Sequence, residues 1–478
     1  MKDDWNGRAS PAYGPGEVSP KPRPAFSSGV LAILAGQAAG GVAALLIEVC
    51  YARILGPEAR GVISICLMCV AFGVLVGAAG GEGSIVFWSA RERGGHATWF
   101  PAVLVWGFAG SILAAGLWWL AYWQFKLPVL RGILPSWAWL VLLNIPAAVL
   151  FAYAMALLAG LERFSLRSAG TLLRQLATLS GFLAIWLFTG RTTAAALAAV
   201  LLGYLGSACM TFFLLRKQLA GFWKIHSAGG NLLPTLAYGL RGQIGNLATF
   251  FTYRLDIFVI NYFLPLAQLG YYALGVTISE ALWQIPSAAA YALFPRTSRT
   301  LSEPATRFTC LVMRQVFLVT CVSGLLLAAV CPLLVPLLFG ARFGPSVAVI
   351  LWLLPGTMAL SLAKVGCSDL AGRGKNGYSS LFALICLVLT IAFDLFLIPR
   401  FGIEGAAAAS SLAYLVDSVL VLLALRFELR VGWKDLLLPA REDFESYRGA
   451  WLRLKAGLGF WRRDSADARR GFSSLADW

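Results

Sequence analysis

Apolar residues run through most of this chain in unbroken blocks of roughly twenty, and short polar stretches separate them. A block such as LAILAGQAAGGVAALLI is continuous rather than alternating. A helix needs roughly 20 apolar residues to cross the hydrocarbon of a bilayer. A lipid-facing backbone must satisfy its own hydrogen bonds, which leaves helices or closed barrels. Barrel strands alternate every second residue, so continuity selects helices. The pattern predicts twelve of them, over about 28–54, 60–88, 99–123, 137–160, 168–189, 193–215, 236–264, 270–294, 308–338, 346–371, 378–399 and 402–426.

Composition agrees with that reading. Of 478 residues, 59% are hydrophobic and 13% charged, against about 45–50% and 25% in a soluble domain. Mean hydropathy is +0.74. The first 27 residues are polar and hold Pro11, Pro15, Pro20, Pro22 and Pro24. They lack the apolar core of a signal peptide and read as a disordered cytoplasmic leader. The formal charge of +16 raises the question of nucleic acid, but its distribution answers otherwise. With the N-terminus inside, the outer segments carry only Arg53, Arg60, Lys126, Arg131, Arg191, Arg342 and Arg400 as cations, and the inner segments carry far more. That positive-inside bias places both termini in the cytoplasm and makes the basicity topological, with no nucleic-acid partner. Cys66 and Cys69 form a CxxC within an apolar helix, with no second pair or histidine nearby, and read as small packing residues.

The chain also repeats itself. Gly36-Gln37 matches Gly242-Gln243, Pro57 with Gly61 matches Pro265 with Gly270, and Pro146 matches Pro355. Further on, Leu158-Ala159-Gly160 with Arg163 matches Leu370-Ala371-Gly372 with Lys375, and Tyr204-Leu205 with Arg216 matches Tyr414-Leu415 with Arg426. The matches keep their order at a nearly constant offset, which divides the chain into halves. The expected fold is an all-α polytopic membrane protein of two six-helix bundles, 28–216 and 234–426, joined by a basic linker at 217–233 and followed by a tail from 427 to 478. Six is even, so both halves start on the same side. Such parallel repeats are related by an axis along the membrane normal, with the substrate site between them.

The segments ARILGPEARG, RLDIFVINYFLPLAQLGYYALG, ALFPRTSR, PLLFGARF and LIPRFGIEGAAAASSLAYL resemble the polysaccharide transporter family. This is the branch of the multidrug/oligosaccharidyl-lipid/polysaccharide exporter superfamily that holds O-antigen and capsule-repeat flippases. The resemblance covers about 28–426. It implies a V-shaped transporter of the bacterial inner membrane that moves polyprenyl-diphosphate-linked oligosaccharide from the cytoplasmic to the periplasmic leaflet for surface polysaccharide assembly. Its partners would be that lipid-linked substrate, membrane lipids, and a polysaccharide polymerase and glycosyltransferases. No GxxxxGK[ST] phosphate loop to hold ATP is found, so the expected drive is an H⁺ or Na⁺ gradient or downstream consumption of the product; the transporter reading involves no cofactor and no covalent chemistry. The alternative within transport is a cation-coupled small-molecule or multidrug exporter. A membrane-embedded glycan polymerase or ligase would need large outer loops, and the outer loops here are short.

Ionisable groups inside membrane helices are costly and normally face a cavity or a partner. Arg254 and Asp256 lie about 200° apart on one helix and so serve opposite faces. Arg254 is the first candidate for a diphosphate contact, because a guanidinium offers phosphate a rigid fork; the rival is a structural pair within its bundle. Lys364 is the second basic candidate, or else snorkels to the cytoplasmic face. Gln37, Arg241, Gln243 and Asn246 complete the central-cavity set. Glu48, Glu82, Asp256 and Glu280 are the candidates for ion coupling or gating. The repeat sets Glu48 and Arg254 at equivalent depth, each eleven residues beyond its glutamine, and predicts that they approach across the cleft in one state. Asp369 lies too far round its helix to favour a pair with Lys364. Asp394 reads as a solvated or capping residue near the outer end, Asp417 as facing a neighbouring helix, and Glu58 and Arg60 as solvated loop.

Tryptophans 118, 119, 123, 137 and 139 fit an interfacial belt rather than a sugar platform. In the tail, Phe444, Tyr447, Trp451, Leu454, Leu458 and Trp461 recur at helical steps among basic residues. That stripe predicts an in-plane helix on the anionic leaflet, with a partner-binding helix as the lesser reading.

Overall fold

The computed structural model of the chain describes residues 26–91, 96–190, 192–216, 232–297 and 303–437. Most of the predicted leader, the linker from 217 to 231 and the stripe from Phe444 to Trp461 lie outside the described residues. Among those described there is no strand. The helices are α1 (Phe26–Ala78), α2 (Gly81–Arg91), α3 (His96–Trp119), α4 (Pro135–Gly160), α5 (Phe164–Thr189), α6 (Thr193–Leu215), α7 (Leu232–Phe263), α8 (Leu266–Glu280), α9 (Gln284–Thr297), α10 (Glu303–Phe339), α11 (Ser346–Gly372), α12 (Asn376–Leu429) and the short α13 (Trp433–Leu437). Eight stretches within them are long and apolar enough to cross a membrane.

Two helices are far too long for one crossing. At about 1.5 Å per residue, the 53 residues of α1 and the 54 of α12 would each reach about 80 Å, against a hydrocarbon core of about 30 Å. Each is broken by a glycine with positive φ, Gly56 (φ 84°) and Gly402 (φ 62°). Glycine reaches that conformation without Cβ strain, and Pro57 then starts the second arm of α1 in the position proline favours. Both breaks fall where the hydropathy pattern breaks. A third was not foreseen. The span expected over 60–88 ends at Ala78, where Ala79 (φ 42°) and Gly80 (φ 78°) separate α1 from α2. The Tyr153 hydroxyl donates to the Ala78 carbonyl at 2.9 Å and satisfies a group the break releases.

The apolar core divides between the halves. One buried cluster is confined to the first half, around Phe100, Tyr153 and Leu157. Another is confined to the second, around Met313, Val365 and Leu425. A third joins them, with Cys66, Cys69, Ile145 and Leu197 packed among Ile257, Tyr272 and Ile403.

The seam between halves is tightest where α1 meets α8. A Cβ on Gly61 would stand 2.0 Å from the Leu266 carbonyl oxygen, and one on Gly270 would stand 1.9 Å from that of Pro57. Each would also lie 3.1 Å from the other glycine's nitrogen. Repeat counterparts therefore cross one another reciprocally, backbone against backbone. The same end is sealed by polar contacts to free carbonyls. Arg53 donates to Leu338 O at 2.7 Å and to Leu337 O. Asn261 donates to Val129 O at 2.7 Å, and Arg131 to Leu264 O. Deeper in, Gln243 donates to Leu75 O at 2.6 Å and Phe72 packs against Phe250 and Phe251.

Candidate functional site

The charged interior belongs mainly to the second half. On α7, Tyr253, Arg254 and Asp256 sit within one turn, and their differing directions send them to different neighbours. Arg254 reaches Glu280 at the end of α8 in a two-pronged pair of 2.7 and 2.8 Å. Asp256 is buried and accepts from the Tyr272 hydroxyl, from Ser410 Oγ at 3.3 Å and from its neighbour's backbone N–H at 2.7 Å. Arg254 and Asp256 take different hydrogen-bond partners, though each lies within the other's field. Arg254 has its donors committed to a carboxylate, as the structural-pair reading expected.

Lys364, on α11, stays inside the bundle. Its ammonium lies 4.5 Å from the centre of the Trp283 ring and 5.7 Å from that of Tyr253. Trp283 is set there by a tight 3-10 turn, Ala281–Trp283, that separates α8 from α9. Tyr414 completes the aromatic cluster, 5.6 Å from Tyr253 and 5.9 Å from Trp283. Among the described residues no carboxylate lies within ion-pair distance of Lys364. Asp369 is taken by Arg373 at 2.6 Å and Thr309 at 2.8 Å. Asp417 lies beside the Cys386 thiol.

Asp394 overturns its expected place. It is fully buried on the first arm of α12, and neither carboxylate oxygen has a hydrogen-bond partner among the described residues. The helix runs on past Pro399 to Gly402, so Asp394 lies more than two turns inside it rather than at its end. It feels the charge of Asp256. An ionised carboxylate in that setting needs a proton or a cation to cancel its charge. Two acids within each other's field, one without a hydrogen-bond partner among the described residues and one flanked by hydroxyls, have the chemistry to hold a small cation or a proton.

The first half is sparer. Glu48 pairs with Arg60 at 2.7 and 3.1 Å, and Arg60 also donates to Ser64 Oγ. Arg60 is buried, 5% exposed, rather than the solvated loop residue expected. The cause is the Gly56 break, which restarts the helix at Pro57 and folds Arg60 back against the preceding arm. Glu58 is exposed. The predicted meeting of Glu48 with Arg254 does not occur in this structure, where each holds another partner. Glu82 is exposed in the first turn of α2, within the field of Arg167. Asn246 is exposed and Gln243 is spent on the Leu75 carbonyl. Gln37 and Arg241 lie on α1 and α7, but their side chains fall outside the described set. Trp118 is buried, stacked on Tyr122 at 5.2 Å, while Trp119 and Trp139 are exposed, as a belt requires.

Sequence reasoning missed Trp283, Tyr272 and Ser410. Each is an ordinary apolar-helix residue until packing turns it toward a charge, and only the repeat match at Tyr414 marked that neighbourhood.

Residues 50–348 match the family model described as "Polysaccharide biosynthesis protein". Over 287 residues the chain is 22% identical to a Shigella flexneri protein named "Putative O-antigen transporter", covering 59% of this chain and 68% of that one. Its fold is similar to that of the lipid II flippase MurJ in an inward closed conformation, with a TM-score of 0.64 at 13% identity over 85% of this chain and 89% of that one. It is also similar to the Vibrio cholerae MATE transporter VcmN, with a TM-score of 0.58 at 14% identity over 86% and 99% of the two chains.

Proposed function

The chain belongs to the polysaccharide biosynthesis protein family, and from that premise we propose that it is a flippase of the bacterial inner membrane. It carries a polyprenyl-diphosphate-linked oligosaccharide from the cytoplasmic to the periplasmic leaflet by alternating access, with both termini in the cytoplasm. The observation that carries this reading is Lys364, a cation held inside the second half on aromatic rings, within the field of Glu280 and Asp417 but with no carboxylate at ion-pair distance among the described residues. A site built this way offers an ammonium without a direct ion-pair partner to an anionic head group and ring faces to sugars.

The helix count supports a twelve-pass plan. The arms of α1 and α12 on either side of Gly56 and Gly402 make four passes. The six helices α3, α4, α5, α6, α10 and α11 make six more, and α7 and the α8–α9 pair supply the last two. The reciprocal approach of Gly61 and Gly270 fits a pseudo-two-fold passing between them along the membrane normal. On the positive-inside reading this crossing would lie at the periplasmic end, with the Gln243–Leu75 and Phe72–Phe250 contacts joining the halves nearer the cytoplasm. Asp256 and Asp394 would hold the coupling proton or Na⁺.

A deletion strain tests the proposal. It should accumulate lipid-linked repeat units on the cytoplasmic side and lose surface glycan, and the wild-type gene should restore both. A second reading, a cation-coupled drug exporter, draws on the orphaned Asp394 and on the MATE-like fold. Intact surface glycan together with altered drug tolerance would favour that one.

A further inference from the structure

The first half contains a site built like that of Lys364. Arg174, on α5, places its guanidinium carbon 5.5 Å from the centre of the Phe151 ring on α4 and 5.4 Å from that of Tyr204 on α6. Among the described residues it has no carboxylate within ion-pair distance and no hydrogen-bonded side chain. Tyr204 is the repeat counterpart of Tyr414, which closes the aromatic cluster around Lys364. Arg174 lies ten residues into its helix, about 15 Å along the axis. It points inward, between helices of its own bundle, where Tyr51 of α1 also feels its charge.

An arginine carries five N–H donors in a planar fork. Stacked on rings, it gains cation–π attraction but leaves those donors without acceptors. An uncompensated cation at that depth is expensive, whereas a phosphate ester engages the fork through charge-assisted hydrogen bonds stronger than the stacking it replaces. The rings released would then meet the apolar face of a sugar.

We propose that Arg174, with Phe151 and Tyr204, is a second anion-binding point, the first-half partner of Lys364, and that it takes the diphosphate of the lipid-linked cargo. The proposal rests on the flippase reading. It adds that the head group is handed between one cation in each half, so that neither bundle alone can bind it fully.

The test uses the full chain in nanodiscs, with farnesyl diphosphate as the probe and farnesol as the uncharged control. Wild type should prefer the diphosphate. Arg174→Gln should weaken it about tenfold or more, as the loss of charged hydrogen bonds implies, and leave farnesol unchanged. Phe151→Leu, which removes a ring and keeps the cation, should retain diphosphate binding; loss equal to that of Arg174→Gln would mean a packing role and overturn the proposal. If Arg174→Gln does not fold, Arg174→Lys replaces it. A several-fold loss at unchanged melting temperature supports the fork, and unchanged affinity overturns it. Wild-type affinity in Arg174→Gln beside weakened binding in Lys364→Gln would sink the first-half site alone. A wild type that does not distinguish diphosphate from alcohol would sink the anionic-cargo reading as well.

Discussion

The two halves share their backbone devices and differ in their charges. Each turns at a proline at the matched 57/265 position, each offers a glycine to the crossing at α1 and α8, and each keeps a tyrosine at the 204/414 position. Yet among the described residues the first half holds one ion pair, Glu48–Arg60, beside the Gly56 break, and the ring-seated Arg174. The second holds Arg254–Glu280, Lys364, Asp256, Asp394 and Asp417 through its middle. The comparison teaches that the matched backbone positions keep their close packing while the ionisable groups around them differ.

The largest effect should come from breaking what the halves share. At Gly61 there is no room for a side chain, because the Leu266 carbonyl would lie 2.0 Å from its Cβ. Gly61→Leu should abolish glycan export in a complementation assay, and Gly61→Ala should impair it less. Overpacking of this kind costs about 1–3 kcal/mol or forces the helices apart. Gly270→Leu should behave like Gly61→Leu, since the clash is reciprocal. Normal export in either would break the claim that this crossing closes one end.

Next come the ion pairs that differ. Removing one partner leaves an uncompensated charge, worth about 3–5 kcal/mol in a fully buried pair. The Arg254 and Glu280 side chains are 25% and 20% exposed, so about 2–3 kcal/mol is expected for Glu280→Ala, read as a fall in melting temperature in detergent. The double variant Arg254→Met/Glu280→Leu should recover part of that loss. Glu48→Ala should cost at least as much, because Arg60 is the more deeply enclosed cation at 6% side-chain exposure. A smaller loss at Glu48 would reverse the contrast between the halves.

Asp394→Asn sharpens the same contrast with a smaller effect on stability. With neither oxygen bonded, the carboxyl contributes no contact for the amide to lose. Removing a buried ionisable group there should leave the melting temperature unchanged or slightly higher. Transport should lose its dependence on the proton or sodium gradient. Gradient-dependent transport by the variant would remove Asp394 from the coupling scheme.

How much of this was legible follows from the physics of each feature. The breaks at Gly56 and Gly402 could be read because hydropathy and turn residues are local signals. Arg60 and Asp394 were misplaced because the helices extend a few residues past the polar marks that seemed to end them, and so bury both. The pairings of Glu48 and Arg254 were not legible. Repeat register fixes depth along the axis, but partners depend on how neighbouring helices rotate and pack, which spacing does not carry. Lys364 was named as a cavity cation, but its aromatic seat depends on the 3-10 turn that turns Trp283 toward it.

The smallest predicted effect isolates the shared backbone with no charge pair involved. After α4, Glu162 donates its N–H to Ala159 O at 3.0 Å and Arg163 donates to Leu158 O at 2.9 Å. After α11, Gly374 donates to Ala371 O at 2.9 Å and Lys375 to Leu370 O at 2.8 Å. These are the same helix-ending motif at matched repeat positions, and it requires a left-handed residue. The second half supplies glycine (φ 78°), whereas the first forces a glutamate to φ 55°. A side chain there costs about 1 kcal/mol in Cβ contacts, and glycine's greater freedom in the unfolded chain returns part of it. Glu162→Gly should therefore stabilise the protein by about 0.5 kcal/mol, and Gly374→Glu should destabilise it by a similar or slightly larger amount. The exchange of both should nearly cancel in melting temperature, because the two turns share no hydrogen-bond partner and independent sites add. If Glu162→Gly instead lowers the melting temperature, the glutamate side chain contributes something at that turn that the repeat does not share, and the two halves differ there in more than charge.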